Sequence, residues 1–228
     1  MSGDAPLHAA TLGEAAAAIA SGQSSALALA DAQLARIAAT DATIQAWEVL
    51  DPAHVRAAAQ RSDALHGKGS LAGIGIGVKD IIATADLPTT MGSPIFAGHR
   101  PAVDAACVAR LRAAGGYVFG KTVSTPFAYM DPGKTRNPRD PSHSPGGSSS
   151  GSAAAVAAGH VSAAIGTQTN GSVVRPAAYC GVVGFKPTVA AIPATGVYLF
   201  SPTFDTIGTL TRTVADAALL ASVLADAG

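Results

Sequence analysis

Residues 146–157 read Gly-Gly-Ser-Ser-Ser-Gly-Ser-Ala-Ala-Ala-Val-Ala, and the rest of the chain is interpreted around them. They overlap a polar segment, residues 131–152, that contains Pro, Gly, Asn, Asp and Ser with almost no apolar residue. By composition alone this segment is typical of a flexible linker. A loop that delivers backbone amides and hydroxyl groups to the start of a helix has the same composition. The sequence leaves both interpretations open.

Capping residues and apolar spacing predict helices and short strands on both sides of this segment. Thr11-Leu-Gly-Glu14 fits a capping box, which starts a first helix. Further helices are predicted from Ser24 or Ser25 to about Thr40, from Asp51-Pro52 to about Leu65, from Asp104 to Ala114, from Ser152 to Ala158, and from Thr213 to about Ala227. Strands are predicted at residues 46–50, 74–78, 117–119 and 182–185. Helices that alternate with short apolar strands indicate an α/β architecture.

Length, composition and charge restrict the number of domains and the classes of binding partner. The chain has 228 residues, with 15 basic and 15 acidic side chains and a formal net charge of zero. At roughly 150 residues per domain, this length allows one large domain or two small ones. Apolar residues make up 48% and charged residues 13%, which disfavours a disordered chain. Without net positive charge, generic binding to nucleic acid or to an anionic membrane has no electrostatic cause.

No targeting segment or membrane span is predicted. The N-terminus lacks a basic segment followed by an apolar stretch, and the most apolar run, residues 153–166, is shorter than the ~20 residues of a spanning helix. We therefore expect a cytoplasmic protein with neither membrane nor nucleic-acid partners. Cys107 and Cys180 are too few for a disulfide scaffold or a cysteine-only metal site, and Cys180 is interpreted as a buried packing residue.

Two patterns match known motifs without the context that those motifs need. Residues 115–122 fit a P-loop, but a helix precedes them and an apolar strand fills the supposed loop, which reverses the required order. Residues 147–151 fit the nucleophile elbow of α/β-hydrolases, but the segment before them is a poor strand end. The histidines show no spacing typical of metal ligands, so no metal site is expected and each is interpreted as a surface or hydrogen-bonded core residue: His8, His54, His66, His99, His143 and His160.

Lys79 ends a run of glycine and branched residues, Gly75-Ile-Gly-Val-Lys79-Asp80. Burial of an ammonium group is costly and lowers the lysine pKa, so a neutral amine that acts as a base is one interpretation. A lysine that pairs with Asp80 at the strand end is the other interpretation, and spacing alone favours neither.

Farther along the chain, glycine-flanked serines lie in tight turns at 146–151 and 166–172. Such turns can expose the serine hydroxyls, and their successive amides can converge on an oxyanion.

In these stretches the chain resembles the amidase signature family. The run at 146–157 is similar to the defining stretch of that family, and Gly-Thr-Gln-Thr-x-Gly-Ser at 166–172 matches it as well. Two further blocks also match, Cys-Gly-Val-Val-Gly-Phe-Lys-Pro-Thr at 180–188 and Phe-Asp-Thr-Ile-Gly-Thr-Leu-Thr-Arg-Thr-Val-Ala-Asp-Ala-Ala at 204–218.

The resemblance implies an α/β fold with a mixed β-sheet core covered by helices. It covers residues 71–228 as the amidase signature core and leaves residues 1–70 as a helical lead-in, with a single domain overall. Family members are usually longer, so the chain looks like the N-terminal half of such an enzyme, and the fold is expected to be incomplete at this length.

The resemblance also implies a Ser–cis-Ser–Lys triad. The nucleophile falls on Ser172, the bridging serine on Ser148 and the base on Lys79, with a cis peptide bond between Gly147 and Ser148. Neutral Lys79 would take a proton from Ser148, and Ser148 one from Ser172, as Ser172 attacks an amide carbonyl. Water would then hydrolyse the acyl-enzyme, and neither a metal nor an organic cofactor is required. The oxyanion hole is implied at the backbone amides of Thr169, Asn170, Gly171 and Ser172.

Two positions bear on specificity. Asn170 stands where members usually have glycine, and because asparagine tolerates positive φ better than most residues, the turn is expected to persist. Arg175, three positions after the predicted nucleophile, matches an arginine that binds a substrate carboxylate in malonamidase-like members. The alternative is a structural arginine that pairs with an acidic residue in the same turn.

We expect a hydrolase that cleaves a linear carbon–nitrogen amide bond other than a peptide bond, with related esters or carbamates as further substrates. A small-molecule amide is the expected partner, and a homodimer is compatible with the sequence. Two alternatives stay open. One is the A-type subunit of an amidotransferase, which needs a protein partner, and the other is a catalytically silent fragment whose exposed sheet edges would cause self-association.

Overall fold

A computed structural model describes residues 6–64 and 68–225. The predicted helix ends at Leu65 and Ala227, and His66, lie outside these residues. The described part of the chain holds seven α-helices: α1 (Leu12–Ala20), α2 (Ala26–Ile44), α3 (Pro52–Ala64), α4 (Ala106–Ala113), α5 (Ser150–Ala157), α6 (Val174–Cys180) and α7 (Val214–Leu224). It also holds six strands: β1 (Trp47–Val49), β2 (Gly75–Lys79), β3 (Tyr117–Thr122), β4 (Ala163–Gln168), β5 (Val183–Phe185) and β6 (Thr206–Thr211).

The strands form one mixed sheet in the order β1-β3-β2-β4-β6-β5. β2 is parallel to both β3 and β4, and the other pairs are antiparallel. This topology confirms the expected α/β fold with a mixed sheet. Since β2 and β4 are central neighbours, the residues at their ends, Lys79 and the turn after Gln168, meet at one edge of the sheet.

Two buried apolar clusters cover the two faces of the sheet, because successive strand residues point to opposite sides. Phe119 and Ala164 belong to one cluster, and their neighbours Val118 and Ile165 belong to the other. Residues of the predicted lead-in contribute to both clusters. The amide of Gly13 in α1 also donates to the carboxylate of Asp216 in α7 at 2.9 Å. The N-terminal helices therefore pack against the sheet and its far helix.

Most predicted elements are confirmed, with shifted boundaries. The capping box at Thr11 and Glu14 is present. Ser25 caps α2, which continues past the predicted end to Ile44 and stops at Gln45 in a left-handed conformation. The strand predicted at 117–119 extends to Thr122.

Three elements around the site were not predicted: β4, α6 and β6. β4, Ala-Ala-Ile-Gly-Thr-Gln, does not alternate polar and apolar side chains, because both of its faces are buried. α6 has only seven residues, of which the third is Pro176, so it carries no clear helical period.

Residues 131–149 of the polar segment form a loop that is hydrogen-bonded to the rest of the protein, and residues 150–152 begin α5, so the linker interpretation is wrong. The hydroxyl of Thr135 donates to the carbonyl of Gln45 at 2.8 Å, and the side-chain amide of Asn137 donates to the carbonyl of Tyr179 at 3.0 Å. The segment then enters α5, whose first seven residues are buried. Only small residues let a helix lie this close to the sheet, which explains the run of Gly, Ser and Ala.

Candidate active site

Lys79 ends β2 in the middle of the sheet, and 0% of its surface is exposed. Its amine donates to the hydroxyl of Ser148 at 2.7 Å and to the hydroxyl of Thr167 at 2.8 Å. Thr167 lies on β4, the parallel neighbour of β2, and Ser148 lies in the loop before α5. The fold thus joins a lysine to two hydroxyls that are 69 and 88 positions away in sequence.

Burial changes the acid–base character of Lys79. Desolvation lowers the pKa of its amine from 10.5 to about 7, and the negative charge of Asp205 opposes part of this change. No carboxylate of the described residues lies within ion-pair distance of the amine. A lysine in this environment holds a substantial neutral fraction near pH 7, and the neutral amine can accept a proton.

The alternative in which Lys79 pairs with Asp80 is wrong. The carboxylate of Asp80 lies 3.6 Å from the amine of Lys121 on β3, and it accepts hydrogen bonds from the amide and hydroxyl of Thr90. Consecutive residues at the end of an extended strand point to opposite sides, so Lys79 and Asp80 are directed apart. Of these two buried lysines on neighbouring strands, only Lys121 has a carboxylate partner among the described residues.

Ser148 is held by a short backbone framework. The peptide bond between Gly147 and Ser148 is cis, as the resemblance implied. The carbonyl of Ser148 accepts the amide of Thr125 at 3.1 Å, and the amide of Ser149 donates to the carbonyl of Ser172 at 3.2 Å. The loop of the predicted bridging serine is therefore tied directly to the turn of the predicted nucleophile.

Ser172 lies in the turn between β4 and α6, and 7% of its surface is exposed. Gln168, the last residue of β4, anchors this turn, because its side-chain oxygen accepts the amides of Val173 and Val174, each at 2.9 Å. The hydroxyl of Ser172 makes no hydrogen bond to any residue within 6–64 or 68–225. It is therefore available to a ligand in the adjoining cavity.

The predicted oxyanion turn has free amides. Among the residues that the structure describes, no hydrogen bond uses the backbone amides of Asn170, Gly171 or Ser172. Consecutive free amides of this kind can stabilise a developing negative charge. Asn170 does not adopt a positive φ, so the left-handed conformation that asparagine would tolerate is not required there.

A cavity of about 530 Å³ lies against these groups. Ser148 and Ser172 both line it, whereas Lys79 lies behind Ser148 and does not. No carboxylate of the described residues lines the cavity, and it is bordered by two guanidinium groups and several aromatic residues. We call the part of the lining formed by these residues the cavity wall: Arg136, Arg175, Tyr129, Tyr179 and Phe200. Thr169 and Asn170 also line the cavity.

Arg175 lies on α6 beside the oxyanion turn. A Cβ atom added to Gly171 would lie 3.2 Å from one terminal nitrogen of the guanidinium. The Nε atom of Arg175 is buried and has no hydrogen-bond partner within the described ranges. Because no carboxylate among the described residues pairs with it, the alternative of an ion pair within the turn is wrong.

Three other residues from the sequence predictions, Cys180, His160 and Ser149, are buried in the core. Cys180 is buried, and burial raises the pKa of its thiol to about 12, which confirms a packing residue. His160 is buried and bonded to Thr40 and Trp47, which confirms a hydrogen-bonded core histidine. Ser149, at the centre of the elbow pattern, is also buried, and its hydroxyl donates to the carbonyl of Thr167.

Sequence reasoning missed two residues that support the site, Thr167 and Gln168. Both are polar side chains in a strand that is otherwise made of Ala, Ile and Gly, and this contrast was the available signal.

Among the helices of residues 6–64 and 68–225, none has both the length and the hydropathy of a transmembrane span. The same residues contain no group of three or more His, Cys, Asp or Glu side chains that could hold a metal ion.

A family model described as Amidase matches residues 28–227. The chain belongs to the amidase family. It is 45% identical to the A-type subunit of glutamyl-tRNA(Gln) amidotransferase from Chloroflexus aurantiacus, over 96% of this chain and 47% of the relative. The chain spans about half the length of the curated relatives it matches.

Solved structures agree with this assignment. A peptide amidase from Stenotrophomonas maltophilia superimposes with a TM-score of 0.90 at 40% identity, over 96% of this amidase-family chain and 48% of the other. The A-type subunit of glutamyl-tRNA(Gln) amidotransferase from Thermotoga maritima gives a TM-score of 0.82 at 33% identity, over 97% of this chain and 48% of the other. Both likenesses confirm the family resemblance and the fold.

Proposed function

We propose that this chain carries the acyl-transfer centre of an amidase that hydrolyses linear carbon–nitrogen amide bonds. Ser172 attacks the substrate carbonyl and forms an acyl-enzyme. Ser148 takes the proton of Ser172 and passes its own to Lys79, and the proton then returns through Ser148 to the leaving amine. Water hydrolyses the acyl-enzyme by the same relay, while the amides of residues 169–172 stabilise the oxyanion.

One observation carries this proposal: the buried amine of Lys79 bonds to Ser148, which lines the same cavity as the free hydroxyl of Ser172. A lysine with a pKa of about 7 suits a general base at neutral pH, because a useful fraction is unprotonated without a large loss of basicity. The two serine loops are joined by a backbone hydrogen bond, so their relative position is fixed. An ion pair cannot explain why a lysine is buried at position 79, because Lys79 has no carboxylate partner in the described ranges.

The test is covalent labelling by a small fluorophosphonate, followed by intact-mass analysis. We expect one adduct on the unmodified chain and none on Ser172→Ala or Lys79→Ala. The labelling rate should rise with pH through a midpoint near 7, because Lys79 must lose its proton to act as the base.

Two results would contradict the proposal. An adduct that persists in Ser172→Ala would assign the nucleophile to another residue. Folded protein without any adduct would favour the catalytically silent fragment, in which the signature residues remain but the centre does not react. Ser150→Ala is a matched control, because Ser150 also lines the cavity but has no role in the relay.

Arg175 is proposed to bind a carboxylate on the substrate. Its guanidinium borders the cavity, lies beside Gly171 and has a buried Nε atom without a partner among the described residues. Arg175→Met should raise KM for a dicarboxylic acid monoamide about tenfold or more, since a charge-assisted pair is lost. The methyl ester of the same monoamide should show little change. Equal effects on both substrates would indicate a structural role.

A second candidate is the A-type subunit of an amidotransferase, and the relatives that bear this name at 42–45% identity favour it. In this case the amide is glutamine, and the released ammonia passes to a partner protein. Glutaminase activity that appears only when the partner proteins are added would support this candidate. Hydrolysis of simple amides by the chain alone would support the amidase.

A further inference from the structure

Asp205 is a buried carboxylate just before β6 that the proposed reaction does not use. One of its oxygens accepts a hydrogen bond from the hydroxyl of Thr169. The other accepts the amides of Phe200 at 2.6 Å and Ser201 at 2.9 Å. A single carboxylate thus satisfies groups from two separate segments.

Both segments border the cavity. Thr169 opens the oxyanion turn, and Phe200 belongs to the cavity wall. An isolated bridge between Ile82 and Val197 and the amide of Tyr198, which donates to the carbonyl of Ile81 at 2.9 Å, hold the chain before Phe200 to residues that follow β2, and neither contact involves the oxyanion turn. The hydrogen bonds of Asp205 join the oxyanion turn, at Thr169, to the cavity wall, at Phe200.

Asp205 also acts on the base through its charge. Its negative charge raises the pKa of Lys79, against the larger lowering that burial causes. The other charged side chains near this edge of the sheet are Asp80 and Lys121, which pair with each other, and Arg136 and Arg175 at the cavity wall. Asp205 is the only one of them that holds the oxyanion turn by a hydrogen bond.

We propose that Asp205 is a positioning residue that fixes the oxyanion turn against the cavity wall through its hydrogen bonds to Thr169, Phe200 and Ser201. The inference rests on the proposed function, because it assigns the turn and the lysine their roles. Asp205 does not touch the reacting atoms. Its hydrogen bonds set where the amides of the oxyanion turn lie relative to the cavity wall.

Two variants test separately the negative charge of Asp205 and its hydrogen bond to Thr169. Asp205→Asn keeps the size of the side chain and an oxygen for the backbone amides, but it removes the charge. Thr169→Val keeps the charge and removes the hydroxyl that joins the turn to the carboxylate. The readouts are the titration of the Lys79 side chain by NMR, with ¹³C-labelled lysine and Lys79→Ala for assignment, and the rate of fluorophosphonate labelling across pH.

In Asp205→Asn we expect Lys79 to titrate at a lower pH than in the parent chain, because a neighbouring negative charge favours the ammonium form. The acid limb of the labelling profile should move in the same direction. In Thr169→Val the Lys79 titration should stay in place, while labelling slows about tenfold at every pH, because small misplacements of stabilising groups are costly.

An unchanged Lys79 titration in Asp205→Asn would overturn the charge role. Unchanged labelling in Thr169→Val would overturn the positioning role, and this variant keeps the carboxylate in case Asp205→Asn fails to fold. The NMR titration does not need an active enzyme. A wild-type chain that shows no labelling but a Lys79 titration that depends on Asp205 would refute the proposed function while leaving the charge role in place.

Discussion

Lys79→Met is expected to stabilise the folded protein by about 2–3 kcal/mol at pH 7 while abolishing fluorophosphonate labelling. Burial has lowered the pKa of Lys79 from 10.5 to about 7, and each unit is worth about 1.4 kcal/mol. Methionine fills a similar volume without a charge to desolvate. The loss of the hydrogen bonds to Ser148 and Thr167 offsets part of this gain.

The sign of the pH dependence follows from where the proton is held. Between pH 7 and pH 10.5, the unfolded chain keeps the Lys79 proton and the folded chain releases it, so stability rises with pH. Burial of the Lys79 ammonium group lowers the free energy of unfolding by its full amount below pH 7, and this loss disappears above pH 10.5. From pH 7 to pH 9, the rise due to Lys79 is about 2 kcal/mol, and it should be missing from Lys79→Met.

Denaturant unfolding at pH 7 and pH 9 measures both effects, and Lys121→Met is the matched control. Lys121 is also buried on a central strand, but its amine lies 3.6 Å from the carboxylate of Asp80. Burial also lowers the pKa of Lys121, to about 8, but removal of Lys121 leaves the buried carboxylate of Asp80 without its partner, which costs about 3–5 kcal/mol. The same substitution on neighbouring strands should therefore change stability in opposite directions. A destabilised Lys79→Met with an unchanged pH dependence would show that Lys79 is charged in the folded protein.

Gly151→Ala is expected to destabilise the protein by about 3 kcal/mol or more, through overpacking. A Cβ atom at this position would lie 2.3 Å from the carbonyl oxygen of Ala46 and 2.3 Å from the amide nitrogen of Val123. Both are backbone atoms, so no side chain can move aside. The amide of Gly151 also donates to the carbonyl of Val123 at 3.0 Å, and displacement of α5 would break this bond.

Gly13→Ala is the matched control, because Gly13 is also a helical glycine. A Cβ atom there meets only an oxygen of Asp216 at 3.6 Å, which is an ordinary contact. Alanine should stabilise α1 by up to about 1 kcal/mol through helix propensity. Thermal unfolding of the two variants should thus move Tm in opposite directions. A Gly151→Ala variant as stable as the parent chain would contradict the close packing of α5 on the sheet.

Local signals predicted β1, β2, β3, β5 and every described α-helix except α6. The capping residues Thr11 and Ser25 start helices as expected, because a cap involves only neighbouring residues. β4 was not predicted, because most of its residues reflect how closely the strand packs rather than a local preference. Composition left the loop before α5 with two equal interpretations, and only its long-range hydrogen bonds separate them.

The sequence by itself determined the family, the mixed α/β fold and the candidate residues Lys79, Ser148 and Ser172, because these depend on ordered blocks of residue types. Only the tertiary structure decided how those residues are arranged. It placed the hydroxyls of Ser148 and Thr167 beside Lys79, and it paired Asp80 with Lys121. Partners so far apart in sequence meet only when the sheet forms, and the low pKa of Lys79 arises from the water that this packing excludes.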